Sequence, residues 1–277
     1  MSVVAMLQGT VETDLATIRT ALSLARRMNV PMRALCALPD PNAALMVIAT
    51  PEAAGLTSAT TQSIFDMQEE VLAKAREAYQ TATQDEDAVT CEFKHEVNTV
   101  ERAASNAASL SEAVIFPRTA ADGSQPLNVG FEYVLMDAHL PLVLAGTTPD
   151  MDGPVIIAWD GSNGAARTVR FHLPLLRAFG DVIIAQNTDD LNKDPQREIA
   201  APEALVEWLV LQGISSRVME IEGEVSSGLL AMAKGTGACM ILAGAYGHSR
   251  LAERIFGGTT RRLLTADNAP ALSLIHI

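Results

Sequence analysis

A repeated alternation of strand-like and helix-like segments is the feature that most limits how this chain can fold. The apolar run "VVAML" at 3–7 precedes a segment whose apolar residues recur at helical spacing. The alternation continues to "PLVLAG" at 141–146, and it starts again with "VIIAWDG" at 155–161. A β-α-β-α order of this kind predicts a parallel sheet with helices on both faces.

Matching segments show that the second half of the chain repeats the first. "EVNT" at 96–99 corresponds to "EVSS" at 224–227, a shift of 128 residues. Residues 6–10 correspond to 158–162 at the larger shift of 152. The first half therefore contains about two dozen extra residues, which we place within residues 39–60.

Local signals predict where some of the helices begin. In the repeated segment, Asn98 or Thr99 is expected to cap a short helix in the first half, and Ser226 or Ser227 in the second. Pro174 is expected to kink or delay the helix that follows 155–161, because proline cannot donate a helical hydrogen bond.

Charge and composition exclude several functional classes. A formal net charge of −13 argues against general affinity for nucleic acid or for an anionic membrane. No apolar run approaches the roughly 18 residues of a membrane span, and "MSVVAMLQG" lacks the basic residues of a secretory signal. We therefore expect a cytoplasmic protein. Cys36, Cys91 and Cys239 form no CxxC pair and are predicted to be buried, unreactive thiols.

A glycine cluster in the second half is the first candidate for a functional site. Four glycines lie between the apolar run "CMILAG" and the segment "TTRRLL", which is predicted to begin a helix near Thr259: Gly244, Gly247, Gly257 and Gly258. In an open parallel sheet, ligands lie at the carboxyl ends of the strands. A helix N-terminus there offers unpaired N–H groups, and glycines allow phosphate oxygens to come close.

Several polar residues accompany the glycines. Thr259 and Thr260 can add hydroxyl donors, and His248 can contact a phosphate or carry a proton. After the first strand of this half, Asp160-Gly161-Ser162 can meet a ribose hydroxyl or a metal, or Asp160 can simply cap the turn at Gly161. In the first half the glycines are replaced by other residues, so the fold itself does not require them: Phe116, Thr119, Asn128 and Val129.

The second half resembles the universal stress protein family. Gly244-x-x-Gly247, nine residues and Gly257 are similar to that family's nucleotide-binding signature, G-x2-G-x9-G-(S/T). Asp160-Gly161-Ser162 resembles the family's opening motif, and Pro270 before the last strand also fits. The resemblance covers the chain as a tandem protein and is clearer from Pro154 onward.

The resemblance implies an α/β fold of two Rossmann-like, adenine nucleotide alpha hydrolase-like domains. Each would be a five-stranded parallel sheet of order 3-2-1-4-5, and the two would pack as a pseudo-dimer through their last strands, 141–146 and 270–275. We assign a degenerate UspA-like domain to 1–148 and a domain with the glycine motif to 153–277. A further homodimer and unknown protein partners are compatible with this prediction.

The resemblance also implies a stress-response protein that binds or senses ATP, with Mg²⁺, through the second domain. The expected cofactor-binding residues are Asp160, Gly161, Ser162, Gly244, Gly247, His248, Gly257, Gly258, Thr259 and Thr260. Gly258 departs from the signature because the family has Ser or Thr there, and the first half has Gln8 where the family has Asp. We therefore expect no nucleotide in the first half.

Two alternatives follow from these departures. One is an interaction protein that binds no nucleotide and works through protein contacts. The other is a weak ATP-hydrolysing enzyme, for which His248 is the candidate base. No catalytic motif and no metal-ligand cluster is present in the sequence, so we predict a protein that is not an enzyme.

Overall fold

The computed structural model describes residues 2–40, 57–187, 200–244, 258–266 and 269–275. Ten strands lie in these ranges: β1 Val3–Leu7, β2 Met32–Leu38, β3 Cys91–Val97, β4 Ala113–Phe116, β5 Leu142–Leu144, β6 Val155–Trp159, β7 Asp181–Gln186, β8 Ser215–Glu220, β9 Met240–Gly244 and β10 Ala271–Ile275. They form one sheet of order β3-β2-β1-β4-β5-β10-β9-β6-β7-β8.

Helices connect the strands in the alternating order that the sequence predicts. In the described ranges they are α1 Val11–Met28, α2 Thr57–Thr83, α3 Val100–Leu110, α4 Asn128–Glu132, α5 Asn163–Phe171, α6 Leu173–Phe179, α7 Pro202–Leu211, α8 Val225–Thr236 and α9 Gly258–Thr265. A 3₁₀ turn at Arg118–Ala121 follows β4, and a π turn at Tyr133–Asp137 continues α4.

Within each half the strand order is the predicted 3-2-1-4-5, and every pair of neighbours inside a half is parallel. The two halves join through the antiparallel pair β5–β10, where Leu144 lies opposite Leu272 and Val143 opposite Ser273. The α/β fold class is therefore confirmed. The division into domains at 1–148 and 153–277 stays a prediction, because both sets of strands belong to one continuous sheet.

Two apolar cores cover the two faces of this sheet. Along β1, Val3, Ala5 and Leu7 point into one core, whereas Val4 and Met6 point into the other, as strand geometry requires. Both cores contain residues from both halves of the chain. Because each core crosses the β5–β10 junction, apolar burial stabilises the association of the halves as well as each half.

The extra length of the first half lies partly in its second helix. Residues 39–90 separate β2 from β3, whereas 187–214 separate β7 from β8, so the first half is longer here by the expected amount. However, α2 alone has 27 residues and α7 only 10. The placement of all the extra residues within 39–60 is therefore too narrow.

Two predictions about helix boundaries are confirmed and one is wrong. The helix containing Pro174 is interrupted at His172, so that proline falls in the first turn of α6. Thr99 caps α3 and accepts a hydrogen bond from the N–H of Arg102. Neither Ser226 nor Ser227 caps α8. The cap is Glu224, whose longer side chain reaches the backbone of both serines.

Burial governs the chemistry of the three cysteines. Cys36 and Cys239 are buried, and desolvation raises the pKa of their thiols to about 12 and about 11, respectively. Cys91 is only half-buried, which corrects the prediction for that residue, although burial still raises its pKa. In the described ranges, no helix is long and apolar enough to cross a membrane.

Candidate functional site

The carboxyl ends of β6 and β9 lie side by side. The two strands are parallel neighbours, with Val155 paired with Met240 and Ile157 with Leu242, so the register brings the end of β6 beside Gly244. The helices that follow β6, β8 and β9 begin at this same edge because parallel strands share one direction. The fold therefore gathers the starts of α5, α8 and α9 where an open α/β sheet presents its ligand site.

The Asp160-Gly161-Ser162 segment forms a tight turn between β6 and α5. The carboxylate of Asp160 accepts hydrogen bonds from the N–H of Ser162 at 3.0 Å and from its hydroxyl at 2.6 Å. Gly161 has a φ of 71°, in the region that favours glycine. Ser162 caps α5 by accepting from the N–H of Ala165 at 3.1 Å. Asp160 is exposed, so the turn holds a carboxylate at the solvent face of the edge.

Gly244 ends β9 and is exposed. Among the described residues, a Cβ added there meets the hydroxyl oxygen of Thr168 at 3.6 Å, which is an ordinary van der Waals distance. Neither a left-handed backbone nor a close packing contact with the described residues explains this glycine.

The remaining predicted residues fall into two groups. Gly247, His248 and Gly257 lie outside the described residues. Gly258, Thr259 and Thr260 form the first turn of α9, so the predicted helix start is one residue away from the observed one. Their backbone N–H groups are among the first four of the helix, which have no partner within it.

An ion pair that the sequence did not reveal connects α8 with α9. The Glu224 carboxylate accepts from the hydroxyl of Ser226 at 2.5 Å and from the hydroxyl and N–H of Ser227 at 2.6 and 3.0 Å. Its Oε1 also lies 2.8 Å from Nη1 of Arg262. The serine hydroxyls, followed by a weaker contribution from Arg262, lower the pKa of Glu224 to about 2. The exposed carboxylate of Glu224 thus caps α8 and contacts Arg262 of α9.

In the first half, the equivalent edge is closed by packing. Gly9 has a φ of 79°, close to that of Gly161, but a Cβ added to it would lie 2.6 Å from Cγ1 of Val71 in α2. The turn is held from inside by Asp14, whose carboxylate accepts from the N–H groups of Gln8 and Gly9 at 2.9 and 2.8 Å. Asp14 is completely buried, and desolvation raises its pKa to about 6.

In the first half, a packed aromatic side chain occupies the position that corresponds to Gly244. Phe116 ends β4, is completely buried and packs edge-on against Phe131 of α4, with 6.0 Å between ring centroids. Asn128, which corresponds to Gly257, is also buried and donates to the carbonyl of Ala120 at 3.1 Å. Packed side chains thus bury this position in the first half, whereas Gly244 is exposed in the second.

His172 lies at the junction of the halves and away from this edge. Its Nδ1 lies 2.7 Å from the carbonyl oxygen of Thr168 and must donate to it, so Nε2 accepts from the hydroxyl of Ser273, also at 2.7 Å. Burial lowers its pKa to about 4, which keeps the ring neutral. The adjoining cavity of about 30 Å³ holds at most one water molecule. Among the described residues, no three acids, histidines or cysteines are grouped as metal ligands.

Comparisons with known proteins bear on the fold of the chain and on its second half. The model of the universal stress protein family matches residues 151–272. The universal stress protein from Archaeoglobus fulgidus DSM 4304 is 17% identical in sequence, with a TM-score of 0.64 over 99% of this chain and 96% of that one. A functionally unknown protein from Pseudomonas aeruginosa PAO1 is 13% identical, with a TM-score of 0.48 over 99% and 92% of the two chains. No curated protein matches the chain in a sequence search.

The fold and the gathered helix starts define an open α/β protein in which the strand ends and helix starts of the second half meet at one edge. Residues 151–272, which match the model of the universal stress protein family, include this edge. The likeness to the Archaeoglobus protein extends over both halves and shows that they share its fold. A universal stress protein solved in complex with cAMP is 18% identical over 46% of this chain and 98% of its own, with a TM-score of 0.33.

Proposed function

We propose that this chain is a stress-response protein that binds or senses an adenine nucleotide, ATP with Mg²⁺, through its second half. The role is binding rather than turnover, because no positioned base accompanies the described part of the site. The net charge of −13 disfavours nucleic acid and anionic membranes as partners and supports a role in the cytoplasm.

The observation that carries this proposal is the exposed backbone of Gly244. The exposed carboxylate of Asp160 and the first turn of α9 lie at the same sheet edge, and the described residues leave room at this glycine. Unpaired N–H groups of a helix start favour phosphate. The exposed carboxylate suits a ribose hydroxyl or the magnesium ion.

The test for the glycine is calorimetric titration of the chain with ATP and Mg²⁺. We expect about one site per chain with a Kd in the micromolar range, near −8 kcal/mol. Gly244→Ala should weaken binding about tenfold, because the added methyl group fills ligand space and, of the described residues, meets Thr168 alone. Gly235→Ala in α8, where an added Cβ meets nothing within 4 Å, is the matched control and should leave the Kd unchanged.

The test for the carboxylate uses a second turn of identical sequence. In Asp122-Gly123-Ser124 of the first half, Asp122 accepts from the N–H and hydroxyl of Ser124, each at 3.1 Å, just as Asp160 does from Ser162. Asp160→Asn keeps an acceptor oxygen and removes the charge, so it should weaken Mg-ATP binding about tenfold. Asp122→Asn should have no effect. Equal Kd values for the two variants would mean that Asp160 only caps its turn.

The alternative is an interaction protein that needs no nucleotide. Gly258 favours it, because α9 begins with a residue that has no hydroxyl where the family's signature places one, and a lost hydrogen bond to a charged group costs about 1.5–3 kcal/mol. If the wild type does not bind Mg-ATP, the glycines serve the backbone alone. Protein partners, including a second copy of the chain, then become the ligands to seek.

A further inference from the structure

Arg118 of the first half reaches across the junction to the second half. It lies in the 3₁₀ turn after β4. In the sequence repeat, at a shift of 128 residues, it corresponds to Tyr246, which lies between two of the motif glycines, Gly244 and Gly247. The segment that corresponds to the glycine loop therefore carries a guanidinium directed at the other half.

Within the described residues, the guanidinium donates four hydrogen bonds, each to a main-chain carbonyl. Nη1 donates to Leu263 at 2.6 Å and to Leu264 at 3.2 Å, both in the last turn of α9. Nη2 donates to Pro270 at 2.6 Å, immediately before β10, and Nε donates to Ala145 at 3.3 Å, immediately after β5. One side chain thus connects the end of α9 to both strands of the junction.

The C-terminal end of a helix favours a cation such as Arg118. The last four carbonyls of a helix have no partner within it, and they form the negative end of the helix dipole. Arg118 satisfies two of them in α9, which is only eight residues long. Burial lowers its pKa to about 10, so it remains charged at neutral pH. The planar fork of arginine holds five N–H donors in a fixed geometry that spreads over separated carbonyls, whereas the three donors of a lysine ammonium share one nitrogen.

We propose that Arg118 is a positioning residue for the nucleotide site of the opposite half. The inference rests on the proposed function, because the first turn of α9 supplies the phosphate-binding N–H groups. Arg118 fixes the far end of this short helix to the sheet and thereby fixes the direction of its first turn. The first half, which is closed to ligands at its own edge, contributes in this way to binding in the second.

The experiment combines hydrogen exchange with titration on the full chain. Arg118→Gln should speed amide exchange at 258–265 at least tenfold and raise the Kd for Mg-ATP about tenfold, and Arg118→Lys should fall between it and the wild type. Arg217→Gln removes a guanidinium from an exposed pair with Asp181 and should change neither measurement. Ile18→Val, a core change in the first half, should lower the melting temperature without moving the Kd.

The outcomes separate two claims: that Arg118 fixes the end of α9 to the sheet, and that this fixation supports nucleotide binding. Wild-type exchange rates at 258–265 in Arg118→Gln would overturn the first claim. Faster exchange with an unchanged Kd would overturn the positioning role. A Kd that rises in Ile18→Val as much as in Arg118→Gln would also overturn it, because loss of stability alone would then explain both. Failure of the wild type to bind Mg-ATP would overturn the proposed function, and the exchange rates would still show whether Arg118 fixes the end of α9.

Discussion

The first strands of the two halves end in the same backbone turn, but the carboxylate that holds each turn lies in a different place. In the first half, Asp14 comes from inside α1 and is completely buried. In the second half, Asp160 belongs to the turn itself and is exposed. The comparison teaches that the fold requires an acceptor for the turn's N–H groups, and not a carboxylate that faces solvent. The fold alone therefore does not explain why the acid of the second half is exposed.

The same contrast recurs at the end of the fourth strand of each half. Phe116 fills this position in the first half, whereas Gly244 has no side chain and is exposed in the second. A core position is filled because apolar burial stabilises the fold, by about 25 cal/mol per Å². An open one gives up that stabilisation. The second half forgoes stability at the edge where we propose that a nucleotide binds.

The largest effect is expected from the pair Phe116→Ala and Gly244→Ala. Removal of the buried ring should lower the free energy of unfolding by about 3–5 kcal/mol, because the cavity against Phe131 cannot collapse fully. The glycine substitution should change it by less than about 0.5 kcal/mol. Urea denaturation of both variants measures the difference. Similar costs for the two would show that the second edge is also packed.

The next effect concerns His172 at the junction. The folded pKa is about 4 against 6.5 in the unfolded chain, so the unfolded state takes up the proton first as the pH falls. The stability that this group provides is complete above pH 6.5 and is lost, by about 3 kcal/mol, as the pH falls towards 4.

The variant His172→Gln should therefore gain about 3 kcal/mol relative to wild type between pH 7 and pH 4, as measured by urea denaturation. Ser273→Ala keeps the buried ring and removes only its hydroxyl donor. Its unfolding free energy should therefore change with pH as that of the wild type does. The same pH dependence in His172→Gln as in the wild type would contradict the buried, neutral imidazole.

Asp14 should change the free energy of unfolding with pH in the opposite direction to His172, by a slightly smaller amount. Its folded pKa is about 6 against 3.8 in the unfolded chain, because desolvation outweighs the N–H groups of Gln8 and Gly9. The stability from this group is complete below pH 3.8 and is lost, by about 3 kcal/mol, as the pH rises through 6. The free energy of unfolding of Asp14→Asn, measured by urea denaturation, should therefore rise relative to wild type as the pH rises. A gain on acidification instead would show that the carboxylate is stabilised by its hydrogen bonds.

Local periodicity and the repeat predicted the alternation of strands and helices, and Pro174 predicted the break in its helix. The strand order and the pairing of the last strands were predicted only from the resemblance to the universal stress protein family. The α8 cap was missed because "EVNT" and "EVSS" look equivalent. In the first half, the sheet continues through Val97, which pairs with Leu38, so Glu96 stays in a strand. In the second half, pairing ends at Glu220, and the chain begins a helix four residues later, after Glu224.

Two other residues required three-dimensional information. Arg118 acts on carbonyls about 145 to 152 positions away, and no local pattern marks such a contact. Asp14 leaves a weak trace as an acid in the first turn of a helix, where the dipole favours it. Its role appears only when α1 folds back over the turn at Gly9. Long-range polar contacts of this kind are set by the tertiary fold, not by periodicity.

The smallest effect compares the helix caps that follow the two turns. Ser162 accepts from the N–H of Ala165, whereas Thr10, at the same position in the first half, makes no side-chain cap bond. Ser162→Ala should therefore cost about 1 kcal/mol in unfolding free energy, and Thr10→Ala only a few tenths. Because the same hydroxyl also donates to Asp160, Ser162→Ala should loosen that carboxylate and weaken Mg-ATP binding. Equal costs for the two substitutions would mean that the second-half turn is held by Asp160 and Gly161 alone.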